Sequence, residues 1–142
     1  MHFRFTPEQD RFRLEVSDFL KDALVDVARD ASDGEPEEAH VSEAFSRSLA
    51  AKRWIGLAWP REYGGQALGH IERFIYTEEM TYQQAPMGFH NIAERQMGPS
   101  IIVSGNDYQK QTYLPGIAHA EISMCIGYSE PNAGSDLAGV ET

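Results

Sequence analysis

A single cysteine, Cys125, is the only thiol in 142 residues. It cannot form an internal disulfide. With no CxxC pair and no Cys/His cluster, a structural zinc site of the usual spacing is excluded as well. This usage predicts a reducing compartment. Long apolar runs are also missing. No stretch approaches the ~18 apolar residues that span a bilayer, and the opening Met1-His2-Phe3-Arg4-Phe5-Thr6 lacks the apolar run of a signal peptide. The expected location is cytoplasmic. Basic charge is scarce too: 12 Lys+Arg stand against 22 Asp+Glu, a net charge of −10, and no basic run exceeds two residues. Nucleic-acid binding needs clustered cations to displace counterions from phosphates, so that class is excluded. An acidic total does not exclude a small anionic ligand, which backbone N–H groups can hold.

What is present suffices for a core. The chain is 42 % hydrophobic and 11 % aromatic, enough for one domain or one domain with the start of another. Thr6-Pro7-Glu8-Gln9 reads as a helix start, with a hydroxyl cap, a proline where no N–H is needed and a glutamine that closes a capping box. Phe12, Val16, Phe19, Leu20, Ala23 and Val27 then recur at helical spacing, with Arg11, Glu15, Asp18 and Asp22 on the surface, predicting a helix over about 7–29. The acidic stretch from Asp30 to Glu38, holding Gly34 and Pro36, predicts a solvated loop. Ser42 caps a shorter helix to about Trp54, and Gly56 to Gly65 reads as a loop. Ile71, Phe74, Ile75, Glu78 and Tyr82 mark a third helix over about 69–84. A fourth runs from Gly88 to about Met97. Gly98-Pro99 is expected to restart a short helix that ends at Gly105. Asn106-Asp107-Tyr108-Gln109 is a second capping box, opening a helix that Pro115-Gly116 should interrupt.

The character changes at Ile122. The run Ile122-Ser123-Met124-Cys125-Ile126-Gly127-Tyr128-Ser129 is too short for a helix of its own and predicts a strand. It leads into Glu130-Pro131-Asn132-Ala133-Gly134-Ser135-Asp136, rich in turn-forming residues. A lone strand cannot satisfy its own backbone, so it must pair with more chain or another molecule. The expected architecture is mainly α: an antiparallel helical bundle over 1–121, then the first strand of an incomplete β-domain over 122–142.

Three stretches carry a family resemblance. Tyr128-Ser129-Glu130-Pro131-Asn132-Ala133-Gly134-Ser135-Asp136-Leu137-Ala138-Gly139 resembles the Ser/Thr-Glu-Pro…Gly-Ser/Thr-Asp signature of the acyl-CoA dehydrogenases. Trp59-Pro60-Arg61-Glu62-Tyr63-Gly64-Gly65 is similar to that family's Pro-x-Glu-Tyr-Gly-Gly loop. Gly105-Asn106-Asp107-Tyr108-Gln109-Lys110, followed by Tyr113-Leu114-Pro115, resembles its Gly-x-x-x-Gln-Lys turn. All three occur in the family's order and spacing across essentially the whole chain. Two departures stand out: Tyr128 replaces the usual aliphatic residue, and Asn132 replaces a common glycine, which Asn imitates by tolerating left-handed backbone.

The resemblance implies FAD-dependent oxidation of a CoA thioester to its trans-2-enoyl form, with electron-transfer flavoprotein as acceptor and a homo- or hetero-oligomeric protein. Acyl-CoA oxidases and flavin monooxygenases of the same fold, or a helical assembly module without chemistry, are the alternatives. It further implies that backbone groups of Ile126 and Tyr128 edge the flavin, that the Ser129 hydroxyl bonds near its reactive side, and that Ser135 touches CoA. Gly134 admits close approach of the backbone, and Asp136 holds the loop. Phe89, Ile92 and Met97 are placed where an acyl chain ends, with core packing as their bland alternative. Glu94 and Arg95 beside them suggest a pocket for bulky acyl groups, steroid side chains included. No catalytic base is assigned within these 142 residues, because the family's carboxylate lies in a carboxyl-terminal domain. No metal site is expected: His40 and His90 have no partner at ligand spacing and read as surface or locally satisfied imidazoles. Trp59 and Tyr63 read as packing anchors. Glu78 and Glu79, adjacent on a helix, are poor candidates for joint catalysis.

Overall fold

A computed structural model gives the protein's structure and describes residues 4–30 and 40–141. The acidic loop expected after the first helix falls on 31–39, outside the described residues. Among the described residues five α-helices make the fold: α1 (Pro7–Asp30), α2 (Glu43–Ala51), α3 (His70–Tyr82), α4 (Gly98–Ser104) and α5 (Asp107–Ala118). The expected helical class is what is observed.

The helix starts follow the local chemistry. Thr6 and Gln9 cap each other reciprocally, at 3.0 Å from Thr6 N to Gln9 Oε1 and 3.3 Å from Gln9 N to Thr6 Oγ1. Ser42 accepts from Phe45 N at 3.1 Å, and the Asn106–Gln109 box closes with two bonds of 2.9 Å. These side chains satisfy amide donors that a helix start leaves unpaired.

The first three helices alternate in direction. Lys52 near the end of α2 reaches Glu15 of α1, while Phe45 at its start packs on Phe19, so α1 and α2 are antiparallel. α3 runs alongside α1 in the same sense: Gln9 meets Glu72, Arg13 meets Glu79, and Ser17 meets Gln83. Val16 and Leu20 of α1, Phe45 and Leu49 of α2, Tyr76 and Met80 of α3, and Leu114 and Ile117 of α5 fill one core. Trp54 stands at its centre, edge-on to Phe12, Phe19 and Tyr76 at centroid distances of 6.1, 5.1 and 6.2 Å.

Five sequence expectations need correction. α2 stops at Ala51, because Arg53 adopts φ 58° and turns Trp54 inward. α3 is helical where expected, but its buried face carries Ile75, Tyr76, Glu79 and Met80, whereas Ile71, Phe74 and Tyr82 are exposed. The helix expected from Gly88 begins only at 91, after a turn. Gly98-Pro99 opens α4 and Gly105 ends it as expected, but without a break: residues 91–104 are continuous helical backbone with a π-turn at Ala93–Met97, where Gly98 N–H bonds back to Ala93 O. The wider turn gives Pro99, which lacks an N–H, room inside the helix. Pro115-Gly116 does not end α5 either; the helix continues to Ala118. The carbonyl that Pro115 leaves without a donor is that of exposed Gln111.

Trp59 explains why 98 is glycine. Its ring is buried against Gly56 and Gly98, and a Cβ at Gly98 would lie 2.0 Å from Trp59 Cζ2. Gly56 is held at φ 72°, and a Cβ there would meet Trp59 Cδ2 at 2.8 Å. Trp59 is the packing anchor expected, and Tyr63 also packs against the core.

Candidate functional site

The segment that leaves α5 is where the candidate residues lie. After a turn in which Glu121 N and Ile122 N both donate to Gly116 O, the chain runs extended from Ile122 to Ser129. The strand expected here does not form among the described residues; the segment is extended backbone without a ladder. Among the described residues no backbone–backbone hydrogen bond involves 123–129, since no neighbouring strand is there to supply one.

Two contacts fix the segment's direction. Ile122 packs over Gly116 so closely that a Cβ on Gly116 would lie 2.5 Å from Ile122 Cδ1. Ser123 Oγ donates to Phe89 O at 2.7 Å, tying the segment to the turn that opens the 91–104 helix. From there exposure alternates with period two. Ile122, Met124 and Ile126 are half-buried toward the bundle, while Ser123, Cys125 and Gly127 face out. Met124 closes one side of a hollow of about 390 Å³ between α4 and α5 that Met97, Ile101 and Tyr113 also line.

Each predicted site residue can now be placed. Ile126 is half-buried; Tyr128 is 70 % exposed, and Ser129 is exposed. The loop beyond is a compact turn. Glu130 and Ala133 exchange two backbone bonds of 2.8 and 3.1 Å, Ala133 is buried, and Glu141 N donates to Glu130 Oε2 at 2.9 Å. Gly134 and Ser135 stand on the outside of this turn, and a Cβ added at Gly134 would meet nothing within 4 Å. Asp136 accepts from Gly139 N through its carbonyl at 3.1 Å and so shapes the loop. Ile92 is half-buried just before the π-turn. The Ser123–Phe89 bond brings the turn before the 91–104 helix beside the extended segment. Phe89 itself packs against the core.

Glu94 does something the sequence did not suggest. It is buried and turns inward toward α3 and the Gly56 loop. Burial raises its pKa, while Arg73, Arg95 and the Gly56 amide pull it back toward the charged form. Its neighbour Tyr76 is buried, and its hydroxyl meets no hydrogen-bond partner among the described residues. Burial, and then the Glu94 charge, push that phenol's pKa upward. His90 is buried rather than on the surface, but locally satisfied: its Nδ1 lies 2.8 Å from Ser46 Oγ. Ser46 spends its single proton on Ser42 O at 2.9 Å, so the imidazole must donate from Nδ1. Desolvation lowers its pKa to about 4. Glu78 and Glu79 are both held by one Arg13 guanidinium, at 2.5 and 2.7 Å, a structural clamp between α1 and α3.

Residues 6–121 match the family model described as acyl-CoA dehydrogenase, N-terminal domain. The chain belongs to the acyl-CoA dehydrogenase family. Acyl-CoA dehydrogenase IpdE1 of Mycolicibacterium smegmatis is 39 % identical over 140 residues, covering 95 % of this chain and 36 % of that protein. Acyl-CoA dehydrogenase FadE26 of Mycobacterium tuberculosis is 34 % identical over 145 residues, covering 100 % and 36 %. The chain therefore spans about a third of the length of these curated relatives. Among solved structures, the ChsE4–ChsE5 complex from Mycobacterium tuberculosis aligns with a TM-score of 0.78 at 33 % identity, over 99 % of this chain and 35 % of that one. The Tcur3481–Tcur3483 steroid ACAD aligns with a TM-score of 0.83 at 29 % identity, over 99 % and 36 %. Among the described residues, no helix of this acyl-CoA dehydrogenase family chain is long and apolar enough to cross a membrane.

Proposed function

We propose that this chain serves the FAD-dependent α,β-dehydrogenation of an acyl-CoA thioester to the trans-2-enoyl-CoA. The observation that carries this reading is the extended segment 123–129. It leaves the bundle with its main-chain groups unpaired among the described residues and the exposed Ser129 hydroxyl at its end. A flavin edge needs such a row of donors and acceptors, and these residues fit it. Ile126 and Tyr128 would present backbone groups and Ser129 its hydroxyl, which both donates and accepts. Gly134 and Ser135, standing free on the adjacent turn, would meet the CoA portion. FAD, when bound, supplies the two-electron acceptor; the chain supplies position and electrostatics. The base that removes the α-proton is, by family resemblance, a carboxylate in the portion of the relatives that these 142 residues do not span.

The reading also assigns a boundary near residue 121, supported by the end of the family match and the change to extended backbone. A cytoplasmic location, electron-transfer flavoprotein as acceptor and an oligomeric complete protein complete it. The ChsE4–ChsE5 complex among the structural relatives supports a hetero-oligomer, and the relative named for a steroid supports a bulky acyl group.

Anaerobic bleaching of the flavin by a panel of acyl-CoAs tests the proposal in the full-length protein. Bleaching is expected there and not with the 142-residue chain plus FAD. A full-length flavoprotein that no thioester bleaches would end the reading. Preference for octanoyl-CoA over a ring-bearing thioester would end the bulky-substrate assignment alone. Oxygen uptake in place of flavoprotein reduction would make the protein an oxidase.

A further inference from the structure

On the far side of α3 from the core lies a hollow of about 250 Å³, lined by His70, Arg73, Phe74, Thr77 and Arg95. His70, Arg73 and Thr77 of α3 and Arg95 of the π-turn thus line one open surface hollow. No carboxylate lines it, in a chain whose net charge is −10. The acidic residues of α3 are engaged elsewhere: Glu72 receives Gln9 Nε2 at 2.9 Å, and Glu78 and Glu79 share Arg13. Among the described residues neither Arg73 nor Arg95 has a salt-bridge partner within 4 Å. Both act at longer range on Glu94, whose burial weakens its charged form. Phe74, 53 % exposed, supplies an apolar wall.

We infer that this hollow is a binding site for a phosphate-type oxyanion, free or as the phosphate of a small nucleotide. Guanidinium forks match the oxygen geometry of phosphate, and a concave site lined by one sign of charge concentrates anions against the field of an acidic protein. Thr77 adds a neutral donor. Phe74 is placed to stack on a base attached to the phosphate. The site stands apart from Ser129 and Ser135 in sequence and element, and it does not depend on the proposed dehydrogenation.

The test is titration of the 142-residue chain with inorganic phosphate at fixed ionic strength, following the arginine side-chain and His70 ring signals by NMR. Saturable binding is expected, with a dissociation constant on the order of millimolar. Arg95→Gln, an exposed position, and Arg73→Gln should each weaken it by about tenfold, as loss of a charge-assisted hydrogen bond does. Arg61→Gln, on a separate turn, should not. Adenosine monophosphate binding more tightly than phosphate, with a shifted Phe74 ring, would assign the nucleotide; equal binding would assign the phosphate group alone. Shifts that chloride reproduces, or full affinity in an Arg95→Gln chain with an unchanged thermal melt, would overturn the site.

Discussion

Replacing Gly98 by alanine sets two effects of opposite sign against each other. Gly98 has φ −58° and ψ −52°, ordinary helix, so alanine needs no backbone strain there. By propensity alone the change would stabilise the helix by about 1 kcal/mol. The new Cβ, however, would stand 2.0 Å from Trp59 Cζ2 and 2.3 Å from Cη2. Trp59 cannot step aside easily: it is 4 % exposed, its N–H bonds Gly56 O at 2.8 Å, and its carbonyl accepts from Ala67 N at 2.9 Å. Overpacking of this kind costs about 3 kcal/mol. The clash wins, with a net loss of about 2 kcal/mol. At roughly 3–4 °C per kcal/mol for a chain of this size, the melting temperature should fall by about 6–8 °C. Thermal unfolding followed by circular dichroism measures it. Trp59→Phe removes the two clashing ring atoms, so Gly98→Ala should cost at least ~1 kcal/mol less in that background. A neutral or stabilising Gly98→Ala, or an equal cost in both backgrounds, would refute the packing argument.

Other outcomes follow from the same geometry. His90 is neutral when folded, with a pKa near 4 against 6.5 in the unfolded chain; its contribution to stability is complete above about pH 6.5 and is lost as pH falls toward 4. The pH dependence of the melting temperature across that window should flatten in His90→Gln. Arg13→Met leaves nearly buried Glu79 without its ion partner and should cost about 2 kcal/mol, much of it recovered by adding Glu79→Gln; urea unfolding of the two variants checks both statements. Asn106→Ala removes the capping box of α5 and should lower stability by about 1 kcal/mol in the same assay. Ser129→Ala should leave the melt of the 142-residue chain unchanged within ~0.5 kcal/mol, while slowing flavin reduction in the full-length protein; a large stability loss would mark Ser129 as structural.

The parts of the fold legible in the sequence are those set by neighbours a few residues apart. Thr6–Gln9, Ser42–Phe45 and Asn106–Gln109 each close over three positions, so the helix starts could be read directly. The extended run from Ile122 was legible because it is too short for a helix, and the turn after it because of its residue types. Its motif also carried the family, and with it the candidate residues Ile126, Tyr128, Ser129, Gly134 and Ser135.

Other features depend on distant partners. α3 carries apolar residues on two sides, and which side is buried was decided by what packs there: Trp54 against Tyr76, and Arg13 reaching across from α1. Gly98-Pro99 looked like a helix break, yet the Trp59 ring occupies the space that glycine leaves, and the π-turn accommodates the proline. Ser46 and His90 lie 44 positions apart, and Ser123 and Phe89 lie 34 apart. Sequence by itself determined where the three capped helices begin, where the backbone straightens and which family the chain resembles, because hydrogen bonds and sterics within a few residues settle those. Tertiary structure alone decided which faces are covered and which charges are left without a neighbour, because burial depends on what the rest of the chain brings alongside.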